Sequence, residues 1–84
     1  MSAIQGDVVS LVKGIVVSLV DDPQQVQVTS SEDGDVLIVE IHVDSNDIGK
    51  VIGRQGRIIK AIRTLARAAS AYVGGSRIEV EVMD

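Results

Sequence analysis

The chain has 84 residues, enough for one domain but not two, and its 45% hydrophobic content argues against global disorder. The absence of cysteine excludes disulfides and thiolate metal sites and suits a reducing cytoplasm. The net charge of −4 disfavours a polyanionic partner unless the basic residues cluster. We expect a single soluble cytoplasmic domain over residues 1–84, with neither a secretory signal nor a membrane span.

The first predicted element is a helix from about Ile4 to Val20, with the sequence Asp21-Asp22-Pro23 ending it. Apolar residues recur along it at helical spacing: Val8, Leu11, Val12, Ile15 and Leu19. Further valines leave little of its surface polar. Such a helix should therefore pack on more than one side, within the fold or against a second chain.

Two strands joined by a hairpin follow. Residues 26–29 alternate valine with polar residues, which is typical of a short half-buried strand. A second strand is predicted over residues 36–43, with Leu37, Val39, Ile41 and Val43 on its inner face. We expect the loop over residues 30–35, with Asp33-Gly34 supplying positive φ angles.

The second half of the chain predicts two helices and a strand. A short helix over residues 47–52, capped by Ser45 or Asn46, is broken by Gly53-Arg54-Gln55-Gly56. A longer helix runs from Arg57 to about Val73, closed by Gly74-Gly75, and a strand spans residues 77–83. The order α-β-β-α-α-β indicates an α+β fold.

The long helix separates two kinds of side chain. One arc of about 120° is apolar, and the opposite arc is basic. The apolar arc, expected in the core, contains Ile58, Ile59, Ile62, Leu65, Ala66, Ala69 and Val73. The basic arc, which begins at the glycine turn, contains Arg57, Lys60, Arg63 and Arg67.

The charges are strongly segregated along the chain. Residues 48–78 carry seven basic side chains and no acidic one, whereas the remainder of the chain has a net charge of −11. A local field of one sign can attract a polyanion even when the total charge opposes it. A solvated helix face is the alternative interpretation of the basic segment.

The Gly53-Arg54-Gln55-Gly56 turn is the best candidate for a binding site. Glycines expose the backbone of a tight corner, and the amides that open the next helix favour phosphate oxygens. Basic side chains occupy the exposed positions around the corner. A tight structural corner without a ligand is the alternative.

The run Ile52-Gly53-Arg54-Gln55-Gly56-Arg57-Ile58-Ile59 matches the KH signature Ile-Gly-x-x-Gly-x-x-Ile. With the element order, it resembles a type II KH domain, which implies a three-stranded sheet with helices packed on one face. The GxxG loop of such domains clamps four backbone nucleotides of single-stranded RNA. Nearly the whole chain is similar to the bacterial KhpA-type family, with residues 47–53 and 61–65 as further family-like runs.

The resemblance implies a cytoplasmic RNA chaperone that forms homodimers, and heterodimers with a larger KH-containing protein of the KhpB (Jag) type, linked to cell elongation and envelope homeostasis. Carried over by position, Gly53, Arg54, Gln55 and Gly56 would hold the RNA backbone. Lys50, Arg57 and Lys60 would add phosphate contacts. The residues bordering the base groove, or buried in the core, would be Ile41, Ile48, Ile52 and Ile59.

Other function classes lack the residues that they need. His42 is the only histidine, so a metal site or a catalytic histidine has no partners, and we expect no enzyme activity and no cofactor. Tyr72 is the only aromatic residue, which excludes base-stacking sheets of the RRM type. The alternative function is a dimerisation or adaptor domain, supported by the apolar first helix and by an alanine-rich side of the long helix formed by Ala61, Leu65, Ala68 and Tyr72.

Overall fold

The computed structural model describes residues 3–72 and 77–83. Its helices are α1 (Ala3–Leu19), α2 (Ile48–Ile52) and α3 (Arg57–Tyr72), and its strands are β1 (Gln27–Asp33), β2 (Val36–His42) and β3 (Arg77–Met83). The predicted order α-β-β-α-α-β is confirmed. The predicted glycine cap at residues 74–75 lies outside the described residues.

The strands form one three-stranded sheet in the order β1-β2-β3. β1 pairs antiparallel with β2, and β2 pairs parallel with β3, with Val39 opposite Val80. β3 is therefore an edge strand, and α3, which packs on it, lies at the border of the sheet. The α+β class, with a three-stranded sheet and helices as in a type II KH fold, is confirmed.

The β1–β2 hairpin is tighter than the sequence predicts. Strand pairing continues to Asp33 opposite Val36, so that the loop is Gly34-Asp35 alone and the predicted loop over residues 30–33 is wrong. Gly34, with φ 64°, occupies the first loop position, which suits a type II′ turn. The polar residues of this segment form the exposed part of an edge strand, where polarity does not prevent backbone pairing.

The core lies between the helices and one face of the sheet. Leu37, Val39 and Ile41 of β2 are buried, as the alternation predicts. α1 contributes a single buried row of valines, and its Val17 is exposed. That row consists of Val8, Val12 and Val16, and the remaining buried apolar residues are Val26, Val51, Ile59, Ile62, Ala66, Ile78 and Val80.

The buried side of α3 is rotated from the predicted arc. Leu65, expected in the core, is 49% exposed, whereas Ser70 is buried. Ile59, Ala66 and Ser70 form the side that is covered, because α3 packs over the edge strand β3 as well as against α1. In the described part of the chain, no helix combines the length and the apolar character that crossing a membrane requires.

Candidate nucleic-acid interface

The corner between α2 and α3 has an unusual backbone. α2 ends at Ile52, a single turn spans Arg54–Gly56, and α3 begins at Arg57. Gly53 has φ 77° and ψ 173°, a combination that is essentially restricted to glycine. Gln55 has φ 57° and ψ 24°, and Gly56 has φ 73°. Three of the four corner residues therefore have positive φ, one of them a residue with a side chain.

The two glycines differ in their surroundings. A Cβ atom on Gly53 would lie 2.6 Å from Cγ1 of Ile58 and 2.9 Å from its backbone nitrogen. A Cβ atom on Gly56 would meet only Cγ2 of Ile59, at 3.9 Å. Gly53 thus permits the close approach of α3 to the corner, whereas Gly56 leaves its outer side open to a ligand.

Part of the backbone of the corner is already hydrogen-bonded. The Gly53 amide donates to the Gly49 carbonyl at 2.8 Å, and the Gly56 amide donates to the Gly53 carbonyl at 3.1 Å. The Arg57 amide donates to the carbonyl of Arg54. The expectation of a corner with bare amides is therefore wrong for these three groups.

The predicted polar site residues come together around this corner. Arg54, Gln55, Arg57 and Lys60 are all exposed. Nη2 of Arg57 donates a weak hydrogen bond of 3.4 Å to Oε1 of Gln55, so that the Arg57 side chain folds back over the turn. The arrangement presents several cationic side chains beside an accessible stretch of backbone, which is the chemistry that a phosphodiester chain requires.

Lys50 is engaged with acidic residues. Its Nζ forms ion pairs with Asp21 and with Oδ1 of Asp47, the latter at 3.2 Å. The hydrogen bond to Asp21 is the main cause that raises the pKa of Lys50. In the protein without RNA, the charge of Lys50 is therefore partly neutralised, and a phosphate would have to compete with Asp21 for it.

Asp47 is a buried carboxylate, with only 2% of its surface exposed. It accepts hydrogen bonds from the amides of Asp21 and Asp22, at 3.2 and 3.1 Å, besides the bond from Lys50. Desolvation by burial acts to raise its pKa, but these donors outweigh that effect and the pKa is lowered. The predicted cap of α2 by Ser45 or Asn46 is wrong, because α2 follows Asp47 without a side-chain cap. Asp44 instead caps the single turn Ser45–Asp47 before α2, where its carboxylate accepts a hydrogen bond from the amide of Asn46.

The predicted apolar site residues are mostly in the core. Ile59 is only 4% exposed and Ile41 is fully buried, so that their side chains present almost no surface to a ligand. Ile48 and Ile52 are half-buried. Of the four isoleucines predicted to border the base groove, these two retain accessible surface.

Arg63 was not among the predicted site residues, yet it has a distinctive environment. It is half-buried, and its Nε donates a hydrogen bond of 3.2 Å to the carbonyl of Val80 in β3. The helical period places it at the border between the basic arc and the buried side. This border position is visible in the sequence and could have distinguished Arg63 from the exposed arginines of α3. In the described residues, no group of three acidic or histidine side chains could hold a metal ion.

A family model described as the KH domain of KhpA/KhpB matches residues 9–82. Three bacterial proteins, each named RNA-binding protein KhpA, illustrate the similarity. The Borreliella burgdorferi protein is 40% identical over 79 residues, covering 94% of this chain and 95% of that protein. The proteins of Caldanaerobacter subterraneus subsp. tengcongensis and Clostridium acetobutylicum are each 47% identical over 73 residues, covering 87% of this chain and 96% of theirs.

Solved structures give the same fold. Aquifex aeolicus Era bound to GDP and AlF4⁻ superposes with a TM-score of 0.68 at 21% identity, covering 99% of this chain and 33% of Era. Era in complex with MgGDPNP and nucleotides 1506–1542 of 16S ribosomal RNA gives 0.67 at 22% identity, covering 96% of this chain and 30% of that one. This chain spans about a third of Era, so the likeness concerns the fold alone. The relatives form no enzyme family, as the sequence predicts, and the chain belongs to the KhpA/KhpB family of KH domains.

Proposed function

We propose that the chain binds short single-stranded RNA across the corner between α2 and α3, without enzymatic activity. The observation that carries this proposal is the corner itself. An accessible backbone with three positive φ angles is surrounded by the exposed side chains of Arg54, Arg57 and Lys60. The names of the family's relatives, which are RNA-binding proteins, support the same function.

Each corner residue has a proposed role. Gly53 brings α3 close to the turn, and Gly56 leaves room for the sugar-phosphate chain. Arg54 and Gln55 contact the backbone of the RNA, and Arg57 and Lys60 contribute phosphate contacts. Lys50 joins them when a phosphate displaces Asp21. Ile52 borders the bases, and Ile59 supports that surface from the core.

The cellular role that fits this activity is that of a cytoplasmic RNA chaperone. The family resemblance supports a heterodimer with a larger KH-containing protein of the KhpB type, and a part in cell elongation and envelope homeostasis. These proposals go beyond the corner geometry and depend on it, since an RNA chaperone must first bind RNA.

The direct test replaces the two exposed residues of the turn with acids. We expect the double variant Arg54→Asp/Gln55→Asp to lose at least about tenfold in affinity, because charged hydrogen bonds to phosphate are lost and repulsion is added. The measurement is fluorescence anisotropy with a labelled single-stranded RNA. With two or three phosphates neutralised, the logarithm of the wild-type affinity should fall with the logarithm of salt with a slope of about −1.4 to −2.

A matched control changes one basic residue and one glutamine at exposed positions outside α2, the corner and α3. Lys13→Asp/Gln24→Asp alters the net charge equally, and both residues are exposed. The control should keep most of the affinity. Equal affinity of the folded corner variant and the wild type for RNA would contradict the proposal. Equal losses of affinity in the corner variant and the control would contradict it too, because they would show a general effect of net charge.

A second candidate function is dimerisation, with which RNA binding is compatible. Ala61, Leu65 and Ala68 form an exposed apolar stripe on α3, in which Leu65 is 49% exposed. The side chain of Tyr72, also predicted on this side, lies outside the described part. Small residues along a helix allow a second helix to approach closely, so the stripe suits a homodimer or a heterodimer with another KH-containing chain.

A further inference from the structure

Arg63 is the half-buried cation of α3. The other basic side chains of that helix, Arg57, Lys60 and Arg67, are exposed. Arg63 instead reaches the strand beneath it, where its Nε donates to the Val80 carbonyl at 3.2 Å. Because β3 has a strand neighbour on one side only, this contact lies at the border of the sheet.

The contact with Val80 uses one of the five N–H donors of the guanidinium group. The other four donors, on Nη1 and Nη2, take no part in this contact. The bond from Nε restricts the orientation of the planar group, so that its remaining fork is held in place before any ligand arrives. Preorganisation of this kind reduces the ordering cost of binding.

Arg63 lies close enough to the corner to contact the same RNA strand. Arg63 follows Arg57 by six residues, or about 9 Å along the axis of α3. α2, which leads into the corner, packs against α3 and contacts β3. The corner and the Arg63–Val80 contact therefore belong to one connected region formed by α2, α3 and β3.

We propose that Arg63 is a specificity-determining residue that reads a base of the RNA whose backbone crosses the corner. The inference rests on the proposed RNA-binding function and adds a base class to it. A guanidinium fork pairs best with two adjacent acceptors. Guanine offers O6 and N7, and cytosine offers O2 and N3. Adenine and uracil have no two adjacent acceptors, so Arg63 favours cytosine or guanine.

A phosphate contact is less suited to this side chain. Phosphate contacts come from exposed cations and do not distinguish one RNA sequence from another. Such exposed cations are already present here, in Arg54, Arg57 and Lys60. The Arg63 guanidinium group is half-buried and hydrogen-bonded to a strand carbonyl, so it can move less than an exposed side chain to follow a flexible RNA backbone. The two roles differ in a measurable way, because the loss of a phosphate contact weakens the binding of all RNA sequences alike.

The experiment compares wild type, Arg63→Lys and Arg67→Lys on four labelled RNAs of equal length, made of U alone or of alternating UA, UC and UG. Lysine keeps the charge but lacks the fork, and Arg67 is the matched exposed arginine one turn further along. We expect the wild type to bind the UC or UG repeat about 5- to 100-fold more tightly than U or UA. Arg63→Lys should reduce this preference to within about twofold, and Arg67→Lys should leave it unchanged. Whichever of UC and UG is preferred identifies the base.

Other outcomes overturn the inference. A wild type without base preference, a preference that survives in Arg63→Lys, or a uniform loss on all four RNAs would each exclude base reading by Arg63. The thermal midpoint of each variant separates lost packing from lost recognition. If the wild type binds RNA and the Arg54→Asp/Gln55→Asp variant does not, the proposed function stands even where the Arg63 inference fails.

Discussion

Gly53 and Gly56 share a positive φ, but only one of them is surrounded by protein atoms. The backbone nitrogen and the side chain of Ile58 occupy the space where a Cβ atom of Gly53 would lie. Gln55, between the two glycines, has a left-handed conformation that costs a residue with a side chain roughly 1–2 kcal/mol. Such strain is often found at binding sites. Here it places a polar, exposed side chain at the tip of the corner.

The two glycines should therefore tolerate alanine unequally. Gly56→Ala incurs the backbone strain alone, about 1–2 kcal/mol. Gly53→Ala incurs that strain and a steric clash with Ile58, which adds about 1–3 kcal/mol. Urea denaturation of both variants measures the difference in the free energy of unfolding. Equal losses would contradict the distinction between a glycine required for packing and one that leaves space for a ligand.

At the scale of elements, Asp47 connects the segment after α1 with the start of α2. Its carboxylate accepts the amides of Asp21 and Asp22, which are more than twenty residues away in the chain, and it also binds Lys50. These contacts hold α2 against the end of α1. Since α2 leads directly into the corner, the buried carboxylate also helps to position the candidate RNA site.

This connection predicts a pH dependence. The pKa of Asp47 is lowered from its ordinary value of 3.8, so its contribution to stability is present above that pH and is lost as the pH falls through the folded-state pKa. Asp47→Asn should lower the thermal midpoint at pH 7, because an amide group cannot accept all of these donors. The difference from wild type should shrink below about pH 4. Circular dichroism melts over this range measure both effects.

Asp21→Asn is the matched control for this prediction. The Asp21 side chain is mostly exposed and contributes only an ion pair with Lys50, which should stabilise little. We expect a much smaller change of midpoint for this variant at pH 7. A destabilisation by Asp47→Asn that stayed constant down to pH 3 would show that the charge of Asp47 is not the cause.

The sequence predicted the order of elements because local periodicity determines them. Alternation identified β2, and the 3.6-residue period identified α3 and its basic arc. The same periodicity could not orient α3 within the fold, which is why Leu65 was assigned to the core although α3 overhangs an edge strand. The Asp21–Lys50 and Arg63–Val80 contacts join residues distant in the chain, and no local pattern reports them. The cationic corner residues were predictable because one short motif contains them.

At the scale of the whole molecule, the charges and the apolar stripe occupy different parts of the surface. The basic segment runs through α2, the corner and α3, whereas the outer face of the sheet carries Glu40, Glu79 and Glu81. RNA should therefore approach from the helical side. The stripe of Ala61, Leu65 and Ala68 lies on α3 outside the core, on a different side of the helix from Lys60 and Arg63.

Dimerisation through this stripe should depend on Leu65, its largest exposed side chain. An isologous pair would bring Leu65 of one protomer near its counterpart, so Leu65→Glu would place like charges in an apolar contact and should yield monomers at micromolar concentration. Gln24→Glu adds the same charge at an exposed position in the turn Pro23–Gln25, outside α3, and should stay dimeric. Sedimentation velocity distinguishes the two states.

Loss of the dimer should also change RNA binding, because two linked sites bind a strand more tightly than one. Leu65→Glu should weaken binding of an RNA long enough to reach both sites, while an RNA that fills one site should bind as before. A wild type that is monomeric throughout the micromolar range would exclude this interface.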